Sequence, residues 1–236
     1  MSQEIEGKTV WTRDRLRVSE SGRYFLEGEK PFFWLGDTAW LLFHRLNREE
    51  AYLYLRNRKE MSYNVIQAVL VNSADGEPVM GNAVKGVCSR EYWEFCDQVI
   101  RMAEEMGMYM ALLPAWGSLV KKGILHEGNV EEYAHFLGKR YQQAPNLIWL
   151  LGGDVRGSEG LEVFRKEARV LKSYNPERLV GFHPFGRTSS SQWFAGEDWL
   201  DFHMFQSGHR RYDQAQLGEW DDNLAKEEFF GEDNWK

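Results

Sequence analysis

The stretch Asn146-Leu147-Ile148-Trp149-Leu150-Leu151-Gly152-Gly153-Asp154 constrains what this chain can fold into more than any other. It is an apolar run without polar alternation, closed by two glycines and a carboxylate. Runs of this kind are buried on both faces, which is the situation of a central strand in a parallel sheet covered by helices. The glycines are expected to stop the strand and let the backbone turn without steric cost. Asp154 is then held at the carboxyl end of the strand, the edge where parallel α/β folds carry their chemistry. The plainer alternative is that Asp154 caps the helix that follows, and the rest of the chain moves the balance between the two.

Strand and helix signals alternate on both sides of that run. Residues 1–15 are polar and read as an extended arm. Leu16-Arg17-Val18 and Arg23-Tyr24-Phe25-Leu26 flank Glu20-Ser21-Gly22, a β-hairpin signal. Phe32 to Asp37 reads as the first core strand, ending in Gly36-Asp37. Asn47 and Glu50 mark a capped helix start, and the helix runs to about Glu60 with Tyr52 and Leu55 inward. Asn64–Val71 is the next strand, followed by a long Gly-rich loop to Val87. Ser89 opens a helix with Tyr92, Phe95, Cys96, Val99, Ala103 and Met106 at helical period. Met108–Leu113 is the third strand, Asn129 to Tyr141 a helix, and the opening run the fourth strand. Leu161, Phe164, Ala168 and Leu171 mark the helix after it. Leu179–His183 and Leu200–Phe205 are the fifth and sixth strands, and a last helix is expected near Asp213–Leu224. This alternation predicts an α/β fold, a (β/α)8 TIM-type barrel of about six β/α units with an N-terminal β-hairpin. Its domain would run from residue 16 to residue 236 and stop before a seventh strand.

Composition excludes several functions. Asp and Glu outnumber Lys and Arg by 36 to 29, so neither nucleic acid nor an anionic membrane is the expected partner. Cys88 and Cys96 make no disulfide framework or zinc cluster, and neither has a His nearby in sequence that would suit a thiol nucleophile. No GxGxxG follows the first strand, and GxxxxGK[ST] and GxSxG are absent, which argues against dinucleotide, P-loop and Ser-His-Asp chemistry. No run is long enough to span a bilayer and no signal peptide is evident, so the expected location is the cytoplasm.

The candidate site residues stand at strand ends. Asp37 and Trp40 follow the first strand, Asn72 the second, Trp116 the third and Asp154 the fourth. His183 ends the fifth, His203 lies inside the sixth, and Gln206 closes it. Each has a structural alternative: Asp37 can serve its own turn, the Trp rings can be core, and His203 can be a satisfied histidine in an apolar strand. Agreement among six strand ends favours one functional mouth. A metal would need Asp37, Asp154, His183 and His203 to meet. Without HxH or HExxH spacing, no metal site is expected.

Phe33-Trp34-Leu35-Gly36-Asp37-Thr38-Ala39-Trp40, with Gly22-Arg23-Tyr24-Phe25 before it and Leu150-Leu151-Gly152-Gly153-Asp154 after, resembles the apiosidase-like glycoside hydrolases, relatives of the retaining (β/α)8 glycosidases. The similarity runs from about residue 16 to at least residue 212. It implies that Asp154 is the general acid/base and that Asp37, Trp40, Trp116 and His183 line a sugar pocket. It also implies a carbohydrate substrate of plant type and no metal or organic cofactor. Glycosidases need a second carboxyl group, in retaining enzymes about 5–5.5 Å from the first. In such a barrel it is normally a Glu ending the seventh strand. Glu219, Glu227, Glu228 and Glu232 follow no apolar strand, so the nucleophile is expected outside this chain. Two rivals stand beside this reading: a carbohydrate-binding barrel without turnover, and a metal-dependent barrel hydrolase built on Asp37, His183 and His203.

Overall fold

The structure, a computed structural model, describes residues 13–72 and 90–207. The Gly-rich loop, Ser89 and the helix expected near Asp213 lie outside the described residues. The N-terminal part is a three-stranded antiparallel sheet in the order β1 (Leu16–Val18), β2 (Phe25–Glu27), β3 (Lys30–Phe32). The expected hairpin is thus extended by one strand. A parallel sheet follows, with β4 (Gly36–Thr38), β5 (Val65–Val71), β6 (Tyr109–Ala115), β7 (Leu147–Val155) and β8 (Val180–Pro184) adjacent in chain order. The helices between them are α1 (Leu42–Arg45), α2 (Arg48–Glu60), α3 (Arg90–Glu105), α4 (Ser118–Lys121), α5 (Val130–Tyr141), α6 (Leu161–Tyr174) and α7 (Ser191–Phe194).

Three strand expectations change. Phe32–Asp37 is not one strand: Phe32 belongs to the antiparallel sheet, and Asp37 lies within β4. The Asn64 side chain accepts from Leu35 N–H and donates to the Phe33 carbonyl, capturing the backbone between the two sheets. The sixth strand shrinks to isolated bridges, Gly181 to Phe202 and Ser189 to Phe205. There the Asp201 carboxylate takes the Val180 N–H, a group that a strand ladder would otherwise use. In β7 the glycines do not end the strand, which continues to Val155 through a register shift between Gly152 and Val155.

Side chains alternate across the parallel sheet. Val65, Val69, Tyr109, Ala111, Leu113, Ile148 and Leu150 face inward and pack with Leu16 and Phe32 of the antiparallel sheet. Ile66, Leu70, Met110, Leu112, Trp149, Leu151 and Phe182 face outward into the helices. The helix periods supply the matching layer. Cys96, Val99 and Ala103 of α3, Tyr133 and Leu137 of α5, and Phe164, Ala168 and Leu171 of α6 are all buried. In α2, the capping box of Asn47 and Glu50 forms as the sequence predicts. Leu55 is buried, but Tyr52 points to solvent with Arg56 over its ring.

Tyr109 opens β6, so the antiparallel sheet covers the amino-terminal end of the strands. Phe32 meets the Tyr109 ring edge-on, with centroids 5.5 Å apart. Arg13 lies 4.7 Å over that ring and bonds both Glu27 and the Gly107 carbonyl. The opposite, carboxyl end of the strands carries the candidate site.

Candidate active site

The shape of this end is set by Gly152-Gly153-Asp154. All three residues have positive φ, at 85°, 106° and 52°. Glycine adopts these angles freely, and Asp is among the few other residues that tolerate the left-handed region. Space makes the same demand. A Cβ on Gly152 would lie 2.5 Å from the His183 carbonyl, and one on Gly153 would lie 2.7 Å from the Trp116 ring. The bulge re-aims the side chain that follows it, a common use of bulges beside functional sites. Here that side chain is Asp154.

Around it stand three rings from three other strand ends. Trp40 follows β4, Trp116 follows β6, and His183 lies in β8. Trp40 and Trp116 meet at 5.3 Å and 54°, too close for a sugar to slide between them, so they form a corner rather than a sandwich. His183 meets Trp40 edge-on at 5.3 Å and Trp116 at 6.0 Å. Beyond the corner, Trp40 borders an open apolar hollow of about 370 Å³ lined also by Ala39, Leu41, Leu42 and Tyr54. Trp40 therefore offers ring surface to solvent as well as to its neighbours.

His183 Nδ1 and Asp154 Oδ1 lie 3.9 Å apart. That is within ion-pair range but beyond a hydrogen bond. Both atoms are buried and neither has a hydrogen-bond partner among the described residues. The Asp154 side chain as a whole is 29% exposed, against 10% for His183. Burial pushes the His183 imidazole below its usual pKa, against the pull of the Asp154 carboxylate. The ring is thus held neutral near pH 7.

The other sequence candidates lie elsewhere. Asp37 pairs in register with Ile66, which faces the helices, and its carboxylate bonds Tyr54 and Arg58 of α2 and the Thr38 N–H. These bonds outweigh burial, which acts in the opposite direction, and hold its pKa below the usual carboxylate value. Its register partners across the sheet are Ile66, Met110 and, through Met110, Leu147, the first residue of β7. Asp37 thus tethers β4 to α2 through Tyr54 and Arg58. His203 is exposed, alternates with the inward Phe202 and Met204, and lies 3.3 Å from the Ser190 hydroxyl. Burial of part of its ring lowers its pKa. The backbone of Gln206 pairs with Arg187 and Thr188 in the loop after β8. Asn72 directly follows β5 and is half-buried. The residues of a metal reading are therefore scattered: Asp37 lies under α2, His183 in the corner and His203 against Ser190. Among the described residues no group of three His, Cys, Asp or Glu side chains is placed to hold a metal ion.

One inward polar residue was missed from the sequence. Gln67 shares the inner face with Val65 and Val69, and its Oε1 is buried without a partner among the described residues. It is the single polar residue in Val65–Val71, and that interruption was a readable signal.

A curled parallel sheet with a plugged lower end and an aromatic, carboxylate-bearing upper end defines a barrel domain of the TIM type. More particularly, the chain belongs to the family described as Apiosidase-like, catalytic domain, whose profile matches residues 19–231. Among solved structures it is similar to a glycoside hydrolase family 5 protein from Bacteroides vulgatus ATCC 8482. That match has 40% identity and a TM-score of 0.79, covering 85% of this chain and 46% of the other. A second protein, described as a glycoside hydrolase, is 41% identical with a TM-score of 0.80, covering 87% of this chain and 48% of the other. The chain thus spans about half the length of these relatives. An endo-1,4-beta-mannanase from Rhizomucor miehei, 13% identical, shares the fold at a TM-score of 0.54 over 72% of this chain and 60% of its own. No curated protein matches the chain. Among the described residues, no helix is long and apolar enough to cross a membrane.

Proposed function

We propose that this chain carries the acid/base side of a glycoside hydrolase and that Asp154 is the group that protonates the leaving oxygen. The observation that supports this is the placement of Asp154 by the Gly152-Gly153 bulge. Its carboxylate stands at the carboxyl end of β7, beside two Trp rings, with no hydrogen bond to the described protein. A structural carboxylate in such a place would have its lone pairs occupied, as those of Asp37 are. Sugar C–H groups pack on aromatic faces, and the corner of Trp40 and Trp116 supplies two at an angle, suited to one sugar ring. The substrate proposed is a plant-type poly- or oligosaccharide.

Hydrolysis by this route needs a second carboxylate across the sugar. The described residues that form the corner include none, so the nucleophile is proposed to come from outside them. The test is turnover of aryl glycosides by a form extended to the length of the relatives. Asp154→Asn should lower kcat by about 10²–10⁴-fold, the usual contribution of general acid/base catalysis, while the thermal midpoint stays near that of the parent. An Asp154→Asn variant with undiminished turnover would remove Asp154 from the reaction. Sugar binding without turnover in the extended parent would favour the carbohydrate-binding reading instead.

A further inference from the structure

We propose that the hollow between the loops after β6 and β7 is an outlying sugar subsite, holding a unit of the glycan beyond the one at the corner of Trp40 and Trp116. This rests on the reading of the corner as a sugar site and goes past it: the substrate is a chain of uncharged sugars rather than a single glycoside. The hollow is open to solvent, has a volume of about 520 Å³, and is lined by residues 120 and 125–128 on one side and 158–163 on the other. Small-ligand sites occupy about 300–1,000 Å³, so it offers both room for a sugar ring and a way in. Both loops leave the carboxyl ends of their strands, the end that carries Asp154. The Trp116 carbonyl accepts from Leu119 N–H, so the hollow begins at Val120, one helical turn or about 5 Å beyond Trp116. β6 and β7 are interior strands of the sheet, so its walls do not depend on a free edge.

The walls are joined at two points. Lys121 Nζ reaches Glu159 Oε1 at 2.9 Å, and Lys166 Nζ reaches Glu127 Oε2 at 3.2 Å, each crossing from one segment to the other. The floor is apolar, with Val120, Leu125 and Val163 buried. The rim is polar, with His126, Ser158 and Glu162 exposed. A sugar ring has the same two characters: its C–H groups suit the floor, and its hydroxyls suit the rim. His126 Nδ1 accepts from Gly128 N–H at 3.1 Å, so the neutral ring carries its proton on Nε2 and donates from there. The carboxylates of Glu127 and Glu162 only accept. A hydroxyl both donates and accepts, and so serves either partner. Glu127, Glu159 and Glu162 are each paired with a cation, which leaves no net charge to select an ionic ligand. The occupant that fits is an uncharged sugar unit.

The first test uses the 236-residue chain, titrated in turn with soluble oligosaccharides of cellulose, mannan and xylan and followed by proton–nitrogen correlation spectra. At least one of them should shift the amides of Gly128, Ser158 and Gly160. Ser158→Trp, which adds a ring to the hollow from an exposed position, should remove those shifts. No shift at these amides with any of the three sugars, or shifts that Ser158→Trp leaves in place, overturns the subsite. The second test is turnover by the extended form. Ser158→Trp should lower kcat/KM for the oligosaccharide about tenfold, the scale of one lost hydrogen bond, and lower it less for an aryl glycoside of a single sugar. His126→Ala removes one donor without adding bulk, and should raise KM for the oligosaccharide severalfold with kcat changed less. Equal losses on the two substrates, or an unchanged oligosaccharide constant in either variant, overturns the subsite as well. The two readings fail separately: an active Asp154→Asn removes the acid/base role, whereas the amide shifts in the hollow do not depend on it.

Discussion

At the lower end of the parallel sheet, Arg13 reaches Glu27 with two nitrogens, gives a third bond to Gly107 and lies over Tyr109, whose hydroxyl bonds Asp14. At the upper end, Asp154 and His183 sit within 4 Å of each other without a hydrogen bond between them. Both ends combine charge with aromatic rings and both are partly buried, yet their polar atoms are treated in opposite ways. The lower set closes on itself, which is what a group kept for stability does. The upper set is left open behind three consecutive positive-φ residues, which is the form taken by groups kept for a ligand. The same contrast separates the two carboxylates expected in the mouth. Asp37 has three bonds within its own fold, and Asp154 has none among the described residues.

The contrast can be broken at either end. The largest stability effect is expected at Gly153→Ala, which meets both a φ of 106° and the Trp116 ring. It should destabilise the domain by about 2–3 kcal/mol and move the Trp116 indole resonance. A neutral result in chemical denaturation would mean that the bulge is not strained. Arg13→Ala should cost about 1–2 kcal/mol, a charge-assisted hydrogen bond at a partly shielded site, and leave turnover of the extended form unchanged. Its pH dependence follows from Glu27. Hydrogen bonding to Arg13, against the opposing effect of burial, holds the Glu27 pKa below its unfolded value. That stability is therefore present above the ordinary Glu range and is lost as pH falls through the lowered pKa. The difference between parent and Arg13→Ala should shrink below about pH 4. A gap that stays constant down to pH 3 would assign the effect to lost packing on Tyr109.

Much of this architecture could be read from the chain because burial and period agree. Val-Ile-Gln-Ala-Val-Leu-Val and Leu-Ile-Trp-Leu-Leu are too apolar to be anything but strands covered on both faces, and the helices between them keep one apolar stripe. The convergence of Trp40, Trp116, His183 and Asp154 followed from the rule that parallel strands present their carboxyl ends together. The orientation of the other candidates depended on register. Asp37 faces outward because Gly36–Thr38 pairs with Val65–Gln67 in one parity, and a three-residue strand does not show its parity in sequence. His203 faces Ser190 because Phe202 took the inward position beside Gly181. Two glycines announce a break in regular backbone, but a stop and a bulge use the same residues. Nor does helical period expose Glu167 of α6. Its side chain is buried beside the expected Phe164 and Ala168, and burial alone pushes its pKa up to about 8.

The most direct measurement is a paired one on Trp116→Ala: thermal stability, and carbohydrate binding followed by the Trp40 indole and His183 ring resonances. Trp116 is only partly buried, packed against the inner core at the rim of the sheet. If the upper end is kept for a ligand, the variant should lose about 1–2 kcal/mol, short of the roughly 3–5 kcal/mol of a buried Trp, and its sugar affinity should fall at least about tenfold. Stability lowered by the full core amount, with the remaining folded protein binding sugar as before, would contradict the assignment and make this end of the barrel as structural as the other.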